Sequence, residues 1–180
     1  YHFMSDMTDK AVAWIKFQKA LTPHKPSFVY FAPGATHAPH HVPKEWIARW
    51  QGKFDQGWDK MREETLARQI RMGIVPAGTQ LAPKPEAIRD WDKLSADEKR
   101  LFTRQAEVFA AFAEYTDHEI GRMLKAFDDI GQADNTLVVY IAGGAHFSVT
   151  PPADAVGRVR ERYQLNHRFV LYVGNIKPHK

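Results

Sequence analysis

The 180-residue chain contains no cysteine. That absence removes disulfides, thiolate metal ligands and a cysteine nucleophile together. No apolar run approaches the roughly 20 residues needed to cross a bilayer. Disorder and collagen-like repetition are excluded too, because 44% of residues are hydrophobic and 26% charged, the balance of a globular protein. An excess of one charge sign is missing from most of the chain. Residues 1–140 hold 19 basic and 19 acidic side chains, so the net charge of +4 lies wholly in residues 141–180. That segment holds six basic residues (Arg158, Arg160, Arg162, Arg168, Lys177, Lys180) and two acidic ones (Asp154, Glu161). Six dispersed charges do not make a nucleic-acid surface, and neither a nucleic-acid nor a membrane partner is expected. The opening Tyr1-His2-Phe3-Met4-Ser5-Asp6 is neither a start methionine nor a basic, apolar signal. The expectation is a piece of something longer, with localisation left open.

What is present reads as alternating helices and strands. A first helix, capped by Asp6 or Thr8, carries Ala11, Val12 and Ile15 at helical spacing and stops at Pro23. Phe28-Val29-Tyr30-Phe31-Ala32 is a short apolar strand bounded by Pro26 and Pro33-Gly34. Pro43 opens a short helix, and another is predicted from about Asp59 to Met72, ending at Gly73. Residues 74–94 carry Pro76, Gly78, Pro83 and Pro85 and read as a long irregular segment. Ser95-Ala96-Asp97-Glu98 is a capping box. The helix it opens is predicted to reach about Gly131, with Leu101, Val108, Phe112, Tyr115, Ile120, Met123, Leu124 and Phe127 as its apolar stripe. Thr136–Ile141 is a second apolar strand. Two strands apolar throughout, joined by a long helix, imply an α/β fold whose parallel sheet is covered on both faces.

The densest chemical constellation is Thr36-His37-Ala38-Pro39-His40-His41, just past the C-terminal end of the first strand. Open α/β sheets bind ligands at that edge. Three histidines there could ligate a metal, hold an anion, or simply be solvated. His37 is placed first because it follows the strand most closely.

The stretch Phe31-Ala32-Pro33-Gly34-Ala35-Thr36-His37-Ala38-Pro39-His40-His41-Val42-Pro43 resembles bacterial arylsulfatases. So do Gly52-Lys53-Phe54-Asp55-Gln56-Gly57-Trp58-Asp59, Asp117-His118-Glu119-Ile120-Gly121 and Thr136–Ile141. The resemblance covers residues 1 to about 142. It implies a partial α/β/α sandwich, alkaline-phosphatase-like, with a helix-covered, mainly parallel sheet. It also implies a sulfuric ester hydrolase that uses a calcium ion and a formylglycine made from Cys or Ser in a Cys/Ser-x-Pro/Ala-x-Arg motif. His37 matches the family histidine that contacts the sulfate ester. The nucleophile motif has no counterpart in this chain, and the paired aspartates of the family's first strand fall before residue 1. The family's later Asp-Asn metal pair falls on Gly144 and Ala145, followed by His146, and neither of the two can hold calcium. No cofactor is therefore expected in this chain, and the expected ligand is at most a sulfate ester or other small anion.

The C-terminal residues, from the basic segment 154–163 through the strand Arg168–Val173 to Gly174-Asn175-Ile176-Lys177-Pro178-His179-Lys180, resemble the start of the donor-binding domain of family-4 GT-B glycosyltransferases. The expected organisation is thus a sulfatase-like part, 1–142, and a short basic part, 143–180, with a junction near 142–146. The final strand can join the first sheet or pack separately. Three functions remain open at this point. They are a sulfatase-family fragment inactive alone, an anion- or metal-binding or structural module using the His37 loop, and a glycosyltransferase fragment. Sheet edges left by truncation would favour self-association.

Overall fold

Residues 1–140 and 169–173 are described by the computed structural model. The expected junction near 142–146, the segment 154–163 and the loop 174–180 lie outside the described residues. By packing, the chain divides into two units, one of residues 1–37 and 116–180, the other of residues 38–115.

In the first unit, α1 spans Phe3–Leu21. It begins earlier than the sequence suggests, after an extended His2 and with no side-chain cap. Both expected caps sit inside it. Thr8 is buried and turns its hydroxyl back to the Met4 carbonyl at 3.0 Å, while Asp6 pairs with Lys10 one turn on. Inside a helix Thr8 has no free backbone N–H to cap, and its hydroxyl bonds back to the preceding turn instead; burial of Met4, Thr8 and Ile15 carries the helix through both positions.

Three strands complete the unit: β1 (Ser27–Phe31), β2 (Thr136–Tyr140) and β3 (Phe169–Val173). They form one parallel sheet in the order β1-β3-β2, with Val29 and Val138 both level with Leu171. The late strand thus joins the sheet at its centre. Coverage of the two faces differs from the expectation. Phe28 is 63% and Tyr140 62% exposed, and Tyr30 and Val138 are also exposed. By register, Phe28 and Tyr30 lie on the face of Leu137 and Val139, and Val138 and Tyr140 lie on the face of Phe31. Each face is therefore open at one outer strand and covered toward the other. An uninterrupted apolar strand reports apolar side chains on both faces, but not whether this chain supplies the cover for them.

The helix α4 (Ala96–Asp129) runs through both units. Its capping box is formed: Ser95 Oγ accepts the Glu98 N–H at 3.3 Å, and a Glu98 oxygen accepts the Ser95 N–H at 2.9 Å. It ends before Gly131, whose φ of +65° suits glycine. In the first unit it buries Ile120, Met123, Ala126 and Phe127. Glu119, 2% exposed, is held there by the Ser5 hydroxyl at 3.0 Å and the Arg122 guanidinium at 2.5 Å. Arg122 also pairs with Asp9, so one buried carboxylate ties α4 to α1 through a ladder of charge-assisted bonds.

The second unit contains α2 (Lys44–Ala48), α3 (Gly57–Arg71), a 3₁₀ turn at Trp91–Lys93 and the first part of α4. Its core is Ile47, Trp91, Leu94, Ala111, Phe112 and Tyr115. Leu101 is not part of it and is 55% exposed. Phe102, one position round the helix, takes the inward contact instead, 5.4 Å from Trp58. No helix among the described residues is long and apolar enough to cross a membrane.

Phe127, 2% exposed, tests the core of the first unit. Phe127→Ala should cost about 3–5 kcal/mol, read as a lower denaturant midpoint with an unchanged slope. An unshifted midpoint would remove this helix face from the core.

Candidate functional site

The histidine loop leaves β1 at its C-terminal end. Its first turn is closed by the His37 N–H, which donates to the Gly34 carbonyl at 2.9 Å, and the His37 side chain is exposed. In the second unit the three-histidine cluster separates further. His40 is half-buried, with its ring edge-on to Phe109 at 5.4 Å and 6.1 Å from Phe112. It is an aromatic packing residue for α4. His41 is exposed, and its N–H donates to the Pro39 carbonyl at 3.1 Å. Of the three, His37 and His41 present accessible imidazoles.

The word Gly52–Asp59 forms a clasp around the long segment 74–94. Gly57 has a φ of +74°, and a Cβ there would lie 2.2 Å from the Trp91 ring. Only glycine leaves room for that indole. Trp58 meets Trp91 edge-on at 4.8 Å. Asp59 accepts the Trp91 N–H and the Lys84 ammonium, each at 2.8 Å, and Lys84 also reaches Asp90 at 2.7 Å. These charges shape the titration. Lys84, and after it Lys93, hold the Asp90 carboxyl down to about 2. Arg89, and after it the Ser95 N–H, do the same for Glu98, also to about 2. Asp59 is lowered chiefly by Lys84. Nearby, the Trp50 indole N–H and the Arg49 guanidinium each donate to Glu114 at 2.7 Å, with Arg49 lying 4.5 Å above the Trp46 ring. Gly52 donates its N–H to buried Glu107 at 2.8 Å.

None of these ties is among the candidate residues named from sequence. The available signal was Trp next to Asp at 58–59 and again at 90–92, two segments too far apart in sequence for periodicity to pair them.

A parallel sheet accompanied by helices defines an α/β protein, and the histidine loop follows the carboxyl end of β1. Comparison with known families matches residues 1–150 to Sulfatase. An uncharacterized sulfatase of Schizosaccharomyces pombe is 36% identical over 124 residues, covering 68% of this chain and 22% of its own length. The arylsulfatase of Klebsiella aerogenes is 30% identical over 146 residues, covering 77% of this chain and 31% of its own length. The chain belongs to the sulfatase family. It spans less than a third of the length of these relatives, one fungal and one bacterial, so the similarity reaches sulfatases beyond the bacterial ones.

Among the described residues, no three His, Asp or Glu side chains come together in a group able to hold a metal ion. Gly144, Ala145 and His146 lie outside the described residues. No step is assigned through calcium or formylglycine in this chain.

Two experiments probe the clasp. Gly57→Ala forces a strained φ and a clash with a ring that is itself wedged against Trp58. It should destabilise by at least about 2 kcal/mol, and equal stability in a denaturant titration would show that Trp91 can move aside. The second is acid titration followed by tryptophan emission. Carboxylates with depressed native values stabilise fully above their unfolded pKa near 4 and lose that contribution as pH falls through the native value. Asp90 and Glu98 therefore place the loss between about pH 4.5 and 2. Asp90→Asn should remove part of this pH dependence, and an identical acid profile would release Asp90 from the clasp.

Proposed function

We propose that this chain is part of a sulfuric ester hydrolase of the arylsulfatase type, in which His37 contacts the sulfate ester, and that it is catalytically silent alone. One observation carries the reading. In a chain of the sulfatase family, His37 is exposed on the loop that leaves the C-terminal end of a parallel strand, and the resemblance of residues 31–43 to arylsulfatases is the reason for reading it as the sulfate contact. An exposed imidazole there can donate an N–H to an ester oxygen, and in its protonated form it also offsets negative charge. Silence follows from what the sequence does not supply. Nucleophile and cation provide most of the barrier reduction in such a reaction, and this chain has no Cys/Ser-x-Pro/Ala-x-Arg motif.

The purified chain, given calcium and an aryl sulfate, should release no phenol above a mock preparation. Turnover that His37→Ala abolishes would show that the chain is a working hydrolase. Micromolar nickel or zinc binding lost in His37→Ala would instead favour a metal-binding module over a sulfate contact.

A further inference from the structure

Helix α1 carries two stripes side by side. Met4, Thr8 and Ile15 are buried within its own unit. About 100° round the helix from them run Phe3, Met7, Lys10, Trp14, Phe17 and Leu21. These six alternate four-residue and three-residue steps without a break, the period of a two-helix seam, from the first residue of the helix to the last. This second stripe faces water. Phe3 is 62%, Trp14 44%, Phe17 58% and Leu21 61% exposed, and Met7 is half-buried.

Aromatic side chains bury about 150–250 Å² each, so three of them near half exposure, with Leu21, present on the order of 400 Å². Apolar patches of that size mark contact surfaces. The one polar member of the stripe points to the occupant. Lys10 pairs with Asp6 one turn back, but its side chain is 72% exposed, so water screens the pair. In a parallel pairing with a second copy, Lys10 would face the second copy's Lys10 within the seam, and like charges oppose that arrangement. In an antiparallel pairing about a two-fold axis the stripe is its own complement. Phe3 falls opposite Leu21, Met7 opposite Phe17 and Lys10 opposite Trp14, and each pair occurs twice. The lone cation then meets an indole, the ring that receives a cation best. A partner groove that is apolar throughout would leave Lys10 without such an acceptor.

We infer that this face is the contact between two copies of the chain, packed through α1 in antiparallel register. The axis passes between Lys10 and Trp14. Beside it lies exposed Ala13, on the side of the stripe away from the buried one, where a small side chain lets the helices approach. With Met7, Ala13 and the Lys10 stem included, two copies bury on the order of 1,000 Å² in total, the lower limit of specific interfaces. The association is therefore weak, with a Kd on the order of 10 µM. It uses α1 alone, apart from the sheet edges and the His37 loop, and does not rest on the sulfatase reading.

The test is sedimentation velocity of the intact chain over a concentration series. The expected result is a monomer that becomes a dimer around that Kd. Phe17→Ser, at an exposed position, should weaken dimerisation at least tenfold. At sub-micromolar concentration, where both proteins are monomers, it should keep the wild-type melting temperature. Lys10→Gln should weaken the dimer about tenfold, and Lys10→Arg should retain it. Direction is read from disulfides, which are unambiguous in a chain without cysteine. Ala13→Cys lies near the axis and should crosslink two copies on mild oxidation. Ala20→Cys, about 21 Å from its copy along the seam, should not. A chain that stays monomeric tenfold above the expected Kd would overturn the inference. So would Phe17→Ser dimerising as the wild type does, the outcome that association through sheet edges requires. Equal crosslinking by the two cysteines, or equal affinity in Lys10→Gln, would overturn the antiparallel register.

Discussion

The second unit depends on one crowded contact. A long segment with four Pro and Gly breakers has little regular hydrogen bonding of its own, so something outside it must fix where it runs. That role falls to Trp91, whose indole fills the space left by the missing Cβ of Gly57 and whose N–H is taken by Asp59. The arrangement combines a steric requirement with an electrostatic one. The carboxylate that receives Trp91 also receives Lys84, so the segment is pinned at two points by one side chain. Trp58, next to Gly57, then reaches Phe102 and brings α4 to the same cluster.

α4 shows how one helix can serve two cores. Its apolar residues near Phe112 and Tyr115 close the second unit, and those from Ile120 to Phe127 close the first. Along it, buried Glu107 and Glu119 and half-buried Glu114 take different partners. Glu107 takes a backbone N–H and Glu114 an indole and a guanidinium, whereas Glu119 takes a hydroxyl and a guanidinium. A buried carboxylate with both oxygens engaged adds little net stability but costs much to unpair. A shift of the helix would unpair buried Glu107 and Glu119 as well as displace its apolar stripe.

Much of the fold was legible in the sequence because it rests on local rules. The capping box, the glycine beyond α4 and the breaker-rich segment are statements about neighbouring residues. The start of α1 was misread for the same reason: Asp6 and Thr8 are good caps in isolation, and only burial of Met4 and Thr8 moves the boundary to Phe3. The two open sheet faces were not legible, since an apolar strand reads the same whether or not its cover belongs to this chain. At the candidate site, the place of His37 just after β1 was legible from the strand and loop signals that flank it. The role of His40 was not, because its partners Phe109 and Phe112 lie far along the chain.

The strand order has a consequence for how this chain is made. β3 lies between β1 and β2 yet is synthesised after both, and most of the chain separates it from β1. During vectorial synthesis β1 and β2 emerge without the strand that will join them, each carrying apolar side chains and unpaired amides on both edges. Until Phe169–Val173 leaves the ribosome, the nascent sheet cannot close, however well the helices have formed. Such high sequence separation slows folding and lengthens exposure to aggregation. Chaperone dependence should therefore be set by the arrival time of one five-residue strand rather than by the helical bulk of the molecule.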